Sequence, residues 1–369
     1  MDIASSLKNL ASIVVPKIKI IWLQITLLSK KLALAFSHGI RQIDKFIDYL
    51  SQHPFIDTLE NRYRLTISNY RRRISTVRAS TPYKKLGLYA QLTRVDKPIG
   101  ILLLLWPTLI ALWIAAGGWP DPLVLFVFVS GVILMRSAGC AINDYADRHV
   151  DGKVKRTHQR PLATGKISEK EALAVFTALS AMAFILVLFM NTLTIWMALI
   201  GVALAVSYPF MKRYHYLPQV HLGAAFGWSA PMAYTAQANE VTAITWLIFL
   251  ATVLWATAYD TMYAMVDYDD DIKIGVKSTA ILFGNLDKTI IGAIQILLIL
   301  DLILIGHRAE LSGFYFLGVV AASIFSVYQQ YLIKDRKREL CFQAFLNNNW
   351  VGLVLFLGVF LDYQFAATT

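Results

Sequence analysis

Nine apolar runs, each near twenty residues long, follow one another from Leu86 to the end of the chain, and they decide the fold class before any other feature is weighed. About twenty residues at 1.5 Å rise cross a hydrocarbon core, and within lipid a helix satisfies its own backbone groups. The runs are approximately 98–117, 121–142, 170–190, 192–210, 219–236, 242–264, 289–306, 313–333 and 343–362. A composition of 57% hydrophobic and 16% charged residues is too apolar for an ordinary soluble domain. The expectation is an all-α polytopic membrane protein, a bundle of nine transmembrane helices. Cys140 and Cys341 are too few for a disulfide framework, and their apolar surroundings suit packing.

Charge orients the bundle. The loops after the second, fourth, sixth and eighth runs carry 7, 2, 3 and 4 Lys/Arg, whereas those after the first, third, fifth and seventh carry only Arg308. Positively charged loops stay in the cytoplasm, so the even-numbered loops are expected there. The net charge of +11 has another origin: residues 1–85 hold 15 Lys/Arg against 5 Asp/Glu. That segment is expected to be a basic extension, interfacial or partly disordered, ahead of a transmembrane domain at 86–369. Its stretch Ile13–Phe36 is interrupted by Pro16, Lys17, Lys19, Lys30 and Lys31, which suits a helix lying in the interface. Membrane lipid is the expected partner; no basic and aromatic pattern points to nucleic acid. No compact signal peptide is evident, and Asp2 with lysine-rich usage disfavours a mitochondrial presequence over a bacterial inner-membrane location.

Two acidic stretches flank the apolar runs on the expected cytoplasmic side. The first is Asn143-Asp144-Tyr145-Ala146-Asp147-Arg148-His149-Val150-Asp151, the second Asp267-Tyr268-Asp269-Asp270-Asp271. Helical positions four and eight apart share a face, which aligns Asn143 with Asp147 and Asp151, and Asp267 with Asp271. Carboxylates gathered at a membrane boundary need a cation, and an oxygen-only set suits Mg²⁺ shared with substrate phosphates. Two facing metal sites gripping one diphosphate are the expected arrangement. The second stretch mimics an EF-hand opening, but Ile272 stands at the obligatory glycine position. Asp260, deeper in its apolar run, needs a cation or a task. Tyr208-Pro209-Phe210-Met211-Lys212-Arg213 adds cations one turn after a tyrosine, within reach of the same phosphates.

Asn143-Asp144-x-x-Asp147-x-x-x-Asp151 and Tyr259-Asp260-Thr261-Met262-Tyr263-Ala264-Met265-Val266-Asp267-x-Asp269-Asp270-Asp271 resemble the two signature motifs of the UbiA-type intramembrane prenyltransferases, and Tyr208-x-x-x-Lys212 resembles that family's shorter third motif. The likeness covers roughly residues 86–363. Within the family, Arg94-Val95-Asp96-Lys97-Pro98-Ile99-Gly100, the run from Lys273 to Gly284 and Asn347-Asn348-Asn349 resemble the members that prenylate 4-hydroxybenzoate in ubiquinone synthesis. The resemblance implies a central cavity that opens sideways to lipid beneath a cytoplasmic cap. It implies Mg²⁺ held by Asn143, Asp147 and Asp151 and by Asp267 and Asp271, with Lys153, Lys212 and Arg213 on the diphosphate oxygens. The implied substrates are a polyprenyl diphosphate and 4-hydroxybenzoate, joined by electrophilic attack of the ring on an allylic cation. A buried carboxylate on the acceptor requires a cationic partner, for which Arg94 and Arg136 are the candidates. Asp260 is the candidate to orient that cation or accept the ring proton. Another aromatic acceptor, such as a menaquinone-precursor naphthoate, is the alternative within the enzyme class. An ion-coupled transporter is the alternative outside it, but its acids would sit near the midplane on broken helices rather than at one mouth.

Overall fold

Apolar runs become well-bounded helices where the sequence also supplies their ends. The computed structural model describes residues 81–366, so the readings for residues 1–80, including Ile13–Phe36, lie outside the described residues. A short helix, α1 (Thr81–Thr93), leads into α2 (Ile99–Ala116) and α3 (Pro122–Asp147). Asp121 starts α3 by accepting from Leu123 N at 2.8 Å and Val124 N at 3.1 Å, with proline at the first helical position, where its missing N–H costs nothing. A 3₁₀ turn at Asp151–Lys153 interrupts the following loop. Next comes α4 (Glu169–Val187), which begins on a capping box: Glu171 N donates to Ser168 Oγ at 3.2 Å and Ser168 N to Glu171 Oε2 at 2.9 Å. The chain continues through α5 (Thr192–Met211), α6 (Pro218–Gly227), α7 (Ser229–Ala238), α8 (Ala243–Ile274), α9 (Thr279–Phe283), α10 (Asp287–Arg308), α11 (Gly313–Ile333) and α12 (Arg338–Phe365).

Among the described residues there is no strand, and eight helical segments are long and apolar enough to cross a membrane. The protein is an integral membrane protein. The fifth expected passage, 219–236, is two ten-residue helices, α6 and α7, joined at Trp228. Pro231 accounts for the break, because its ring lacks the N–H that would bond Gly227 O and crowds that carbonyl. The passage still runs on helically, with Trp228 N bonding Ala224 O and Met232 N bonding Trp228 O.

Two expected boundaries move, and both moves concern the acidic stretches. The sixth apolar run was expected to end near 264; the helix α8 continues to Ile274, which keeps Asp267 and Asp271 on one helical face as their spacing implied. Gly275 ends it with φ +72°, the left-handed cap that glycine adopts without a Cβ clash. In the first stretch the helix stops at Asp147, and Asp151 belongs to the 3₁₀ turn beyond it. Asn143, Asp147 and Asp151 therefore do not share one helical face, which corrects the expected alignment.

Small residues and amides hold the helices together where lipid offers no hydrophobic drive. A Cβ on Gly352 of α12 would lie 2.3 Å from Trp106 Cδ1, and one on Gly318 of α11 would lie 2.8 Å from Val354 O, so α12 sits tight against α2 and α11. The asparagine triplet of α12 is shared out between neighbours. Trp255 Nε1 donates to Asn348 Oδ1 at 2.8 Å, Trp106 Nε1 to Asn349 Oδ1 at 3.0 Å, and Gln329 Nε2 to Asn347 Oδ1 at 3.0 Å. Interhelical bonds of this kind are worth about 1 kcal/mol each. Packed this way, the bundle brings the C-terminal ends of α3, α5 and α8 and the start of α6 to a single charge-rich end.

Candidate functional site

At that end lies a cavity of about 190 Å³. Asn143 and Asp147 reach it from α3, Asp151 from the 3₁₀ turn, Tyr208 and Lys212 from the end of α5, and Asp260, Asp267 and Asp271 from α8. The two acidic stretches thus face one common space although only one of them is fully helical. On α8 the spacing does the work, since Asp260, Asp267 and Asp271 lie seven and four residues apart, close to whole turns.

Cations from the protein already answer most of these carboxylates. Lys212 Nζ is ion-paired to Asp147 Oδ2. Arg156 grips Asp267, with Nε 3.1 Å from both oxygens and Nη2 2.6 Å from Oδ2, while its guanidinium lies 4.6 Å over the Tyr263 ring. Arg160 Nη1 reaches Asp151 at 2.9 and 3.1 Å. Burial pushes the Asp151 carboxyl above the ordinary aspartate range, with Arg160 pulling the other way. Burial also works against the charge on Arg156 and Arg160, but Tyr263 and Asp267 for the first, and Asp144 and Asp151 for the second, leave both guanidinium pKa values above the usual one. Because one short loop supplies both arginines, it fastens the α3 side of the cavity to the α8 side.

The donor set fits a hard divalent cation. It consists of carboxylate and amide oxygens, and Asp147 Oδ1 is buried without a hydrogen-bond partner. Among the described residues no three His, Cys, Asp or Glu converge as a ready-made cage. That suits Mg²⁺, which is commonly held by one or two carboxylates together with substrate phosphates. Asp260 and Asp271 line the cavity and carry no ion pair among the described residues. Asp269 and Asp270 turn away to Arg338 at 3.1 and 3.3 Å.

Three sequence-derived candidates stand elsewhere, and a fourth cannot be placed. Arg94 does not line the cavity; its Nη2 donates to both oxygens of Asp144, at 2.9 and 3.0 Å. Arg213 donates to Ala146 O and stacks on Phe210. The side chain of Lys153 lies outside the described residues. Arg136 was expected at a span end, but eleven residues of α3 separate it from Asp147, which places it roughly 16 Å along the helix from that end. Its guanidinium lies 5.3 Å from the Phe226 ring centroid, its Nη1 donates to Cys140 Sγ at 2.7 Å, and its Nε is buried without an acceptor. Gly100 makes room for it, since a Cβ there would meet Arg136 Nε at 2.4 Å. A cation so placed, in no ion pair with a carboxylate among the described residues, invites an anion.

A second cavity of about 190 Å³ lies among α2 to α7, lined by apolar side chains such as Phe128, Val132, Phe184, Val202, Phe226 and Trp228. Tyr208 lines both cavities. Polar and apolar spaces therefore meet at one side chain, an arrangement for a ligand with an anionic head and a long apolar tail. Arg156, which the sequence offers only as one of several cations flanking the first acidic stretch, also lines the polar cavity, together with Arg160 and Lys277, to which sequence reasoning gave no role. Arg156 and Arg160 come from an irregular loop where no periodicity marks a face; their only signal is positive charge following a carboxylate motif.

The family model of the UbiA prenyltransferase family matches residues 104–357. The 4-hydroxybenzoate octaprenyltransferase of Alkalilimnicola ehrlichii is 60% identical over 274 residues, covering 74% of this chain and 94% of that protein. The apo structure of a UbiA homolog from Aeropyrum pernix K1 superimposes with a TM-score of 0.64 at 25% identity, over 71% of this chain and 97% of that one. A UbiA homolog from Archaeoglobus fulgidus, solved with GPP and Mg²⁺, gives a TM-score of 0.56 at 18% identity over 73% and 99% of the respective chains.

Proposed function

We propose, from the premise that this chain belongs to the UbiA prenyltransferase family, that it transfers a polyprenyl group from a polyprenyl diphosphate to the ring carbon ortho to the hydroxyl of 4-hydroxybenzoate, a membrane step of ubiquinone synthesis. The observation that carries this reading is the junction at Tyr208, where a cavity walled by aspartates and cations opens beside one walled by apolar side chains. The 60% identity to a 4-hydroxybenzoate octaprenyltransferase favours that acceptor over a naphthoate.

Asn143, Asp147 and Asp151 on one side and Asp267 and Asp271 on the other would hold Mg²⁺, which when bound neutralises the diphosphate as a leaving group. Lys212 and Arg156 line the cavity and supply charge-assisted hydrogen bonds to diphosphate oxygens once these take the place of Asp147 and Asp267. The tail extends past Tyr208 into the apolar cavity, where Phe226 and its neighbours exclude water from the allylic carbon. Tyr208 and Phe226, packed edge to face at 5.7 Å, offer ring faces to developing positive charge. Arg136, with its orphaned Nε, binds the benzoate carboxylate and so sets which ring carbon meets the donor. Asp260 orients Arg136 or takes up the ring proton. The loop charges support a cytoplasmic position for the charge-rich end, and a bacterial inner membrane is the proposed location.

The test is mass analysis of products from purified protein in liposomes, offered 4-hydroxybenzoate and a naphthoate acceptor with donors of several lengths. A prenylated 4-hydroxybenzoate with matching diphosphate release is the expected result. Exclusive prenylation of the naphthoate would overturn the acceptor, and absence of diphosphate release would overturn the reaction.

A further inference from the structure

Asp144 has no part in the chemistry above. It is 1% exposed and does not line the cavity. Following Asn143 on α3, it stands about 100° around the helix from the residue that does. A buried carboxylate is costly unless paired, and Asp144 is paired twice. Arg94 Nη2 donates to both its oxygens, and Arg160 Nη1 lies 3.0 Å from Oδ1. The same Arg160 nitrogen donates to Asp151 at 2.9 and 3.1 Å. Four groups of alternating sign run from the connection between α1 and α2 to the cavity wall: Arg94, Asp144, Arg160, Asp151. Arg94 has φ +59°, a conformation an arginine rarely adopts, so its place is imposed by what surrounds it.

We propose that Asp144 is a positioning residue, which holds the Arg160 guanidinium at a fixed place against Asp151 and is itself fixed by Arg94. This rests on the reading of Asp151 as a Mg²⁺ ligand. Left alone, Arg160 and Asp151 would close into a simple ion pair on the cavity wall. Shared between two carboxylates, the guanidinium neutralises Asp151 only in part. Asp151 therefore keeps negative charge for an arriving cation and is held still to receive it. The array acts on the metal side of the site in the way that partners of metal-binding side chains orient their ligands.

The experiment measures heat stabilisation of the purified full-length protein in detergent by Mg²⁺ with inorganic diphosphate, which needs neither acceptor nor turnover. In Asp144→Asn, which keeps shape and removes charge, the Mg²⁺ concentration for half-maximal stabilisation should rise by about 10- to 100-fold, and Asp144→Glu should recover part of it. In an Arg160→Gln background the Asp144→Asn change should add no further shift, since the link it acts through is gone. Arg94→Gln, which leaves the Asp144–Arg160 pair in place, should raise the same midpoint several-fold while the Michaelis constant for 4-hydroxybenzoate stays unchanged. It serves as the deciding variant if Asp144→Asn does not accumulate, and an unshifted midpoint in it overturns the proposal. An unshifted midpoint in Asp144→Asn, or shifts that multiply with Arg160→Gln, reduces Asp144 to packing and overturns the positioning role alone. Wild-type protein that Mg²⁺ and diphosphate fail to stabilise would overturn the proposed reaction instead.

Discussion

Gly100 lacks a side chain at the one point where Arg136 needs the space. Gly100→Ala should therefore displace the guanidinium from its seat over Phe226. The Michaelis constant for 4-hydroxybenzoate should rise about tenfold with the donor constant unchanged, the loss of one well-placed charged contact worth about 1.4 kcal/mol. Equal effects on both substrates, measured by initial rates, would detach Arg136 from the acceptor. Asp147 and Asp267 stand on opposite walls of the polar cavity, and Asp147→Ala or Asp267→Ala should each lower turnover on the order of a hundredfold or more while the protein still inserts. Steady-state rates normalised to membrane protein decide this, and near-normal rates in either variant would remove that residue from the metal set. At this scale the carboxylates were legible in the sequence because helical spacing exposes them. Of their counter-ions Lys212 was visible in its motif and Arg160 was not: it lies nine residues beyond Asp151 in irregular chain, where nothing but the fold fixes direction. Arg94 misled for a related reason, since a cation at the head of a span looks available until Asp144 is seen to hold it.

The helix α8 explains why the second acidic stretch is so well placed. Thirty-two residues long, it carries the apolar passage and the carboxylates on one rigid element, so Asp260, Asp267 and Asp271 keep their register to one another. Its end at Gly275, with φ +72°, favours a residue without a Cβ. Gly275→Ala should cost about 1 kcal/mol, seen as a lower thermal unfolding midpoint in detergent. If the midpoint does not move, the cap is not what ends the helix. Apolar length alone located the helices, because hydropathy reports lipid contact. It could not give the end of α8, where charged residues continue a helix outside the hydrocarbon, nor the break at Trp228, where Pro231 weakens a run that reads as continuous. The asparagine triplet was visible as a motif, but its distribution over Trp255, Trp106 and Gln329 depends on which helices become neighbours.

As a whole the molecule separates two solvents. Aspartates and cations collect at one end of the bundle, while a second, apolar space lies among α2 to α7, with Tyr208 common to both. Chelation of divalent ions should abolish prenyl transfer, and added Mg²⁺ should restore it fully, followed by product formation before and after chelator. Retained activity under chelation would leave the protein cations to carry the leaving group and would refute the metal reading. The short loop bearing Arg156 and Arg160 sets a condition on how the site fills. A bare divalent ion meets Asp267 gripped by Arg156 and Asp151 partly neutralised by Arg160, and displacing an arginine without offering it anything strands its charge. An ion that arrives with a polyanion hands the arginines new oxygens as it takes their old ones. Admission is thus a barter in which metal and diphosphate should each improve the other's terms.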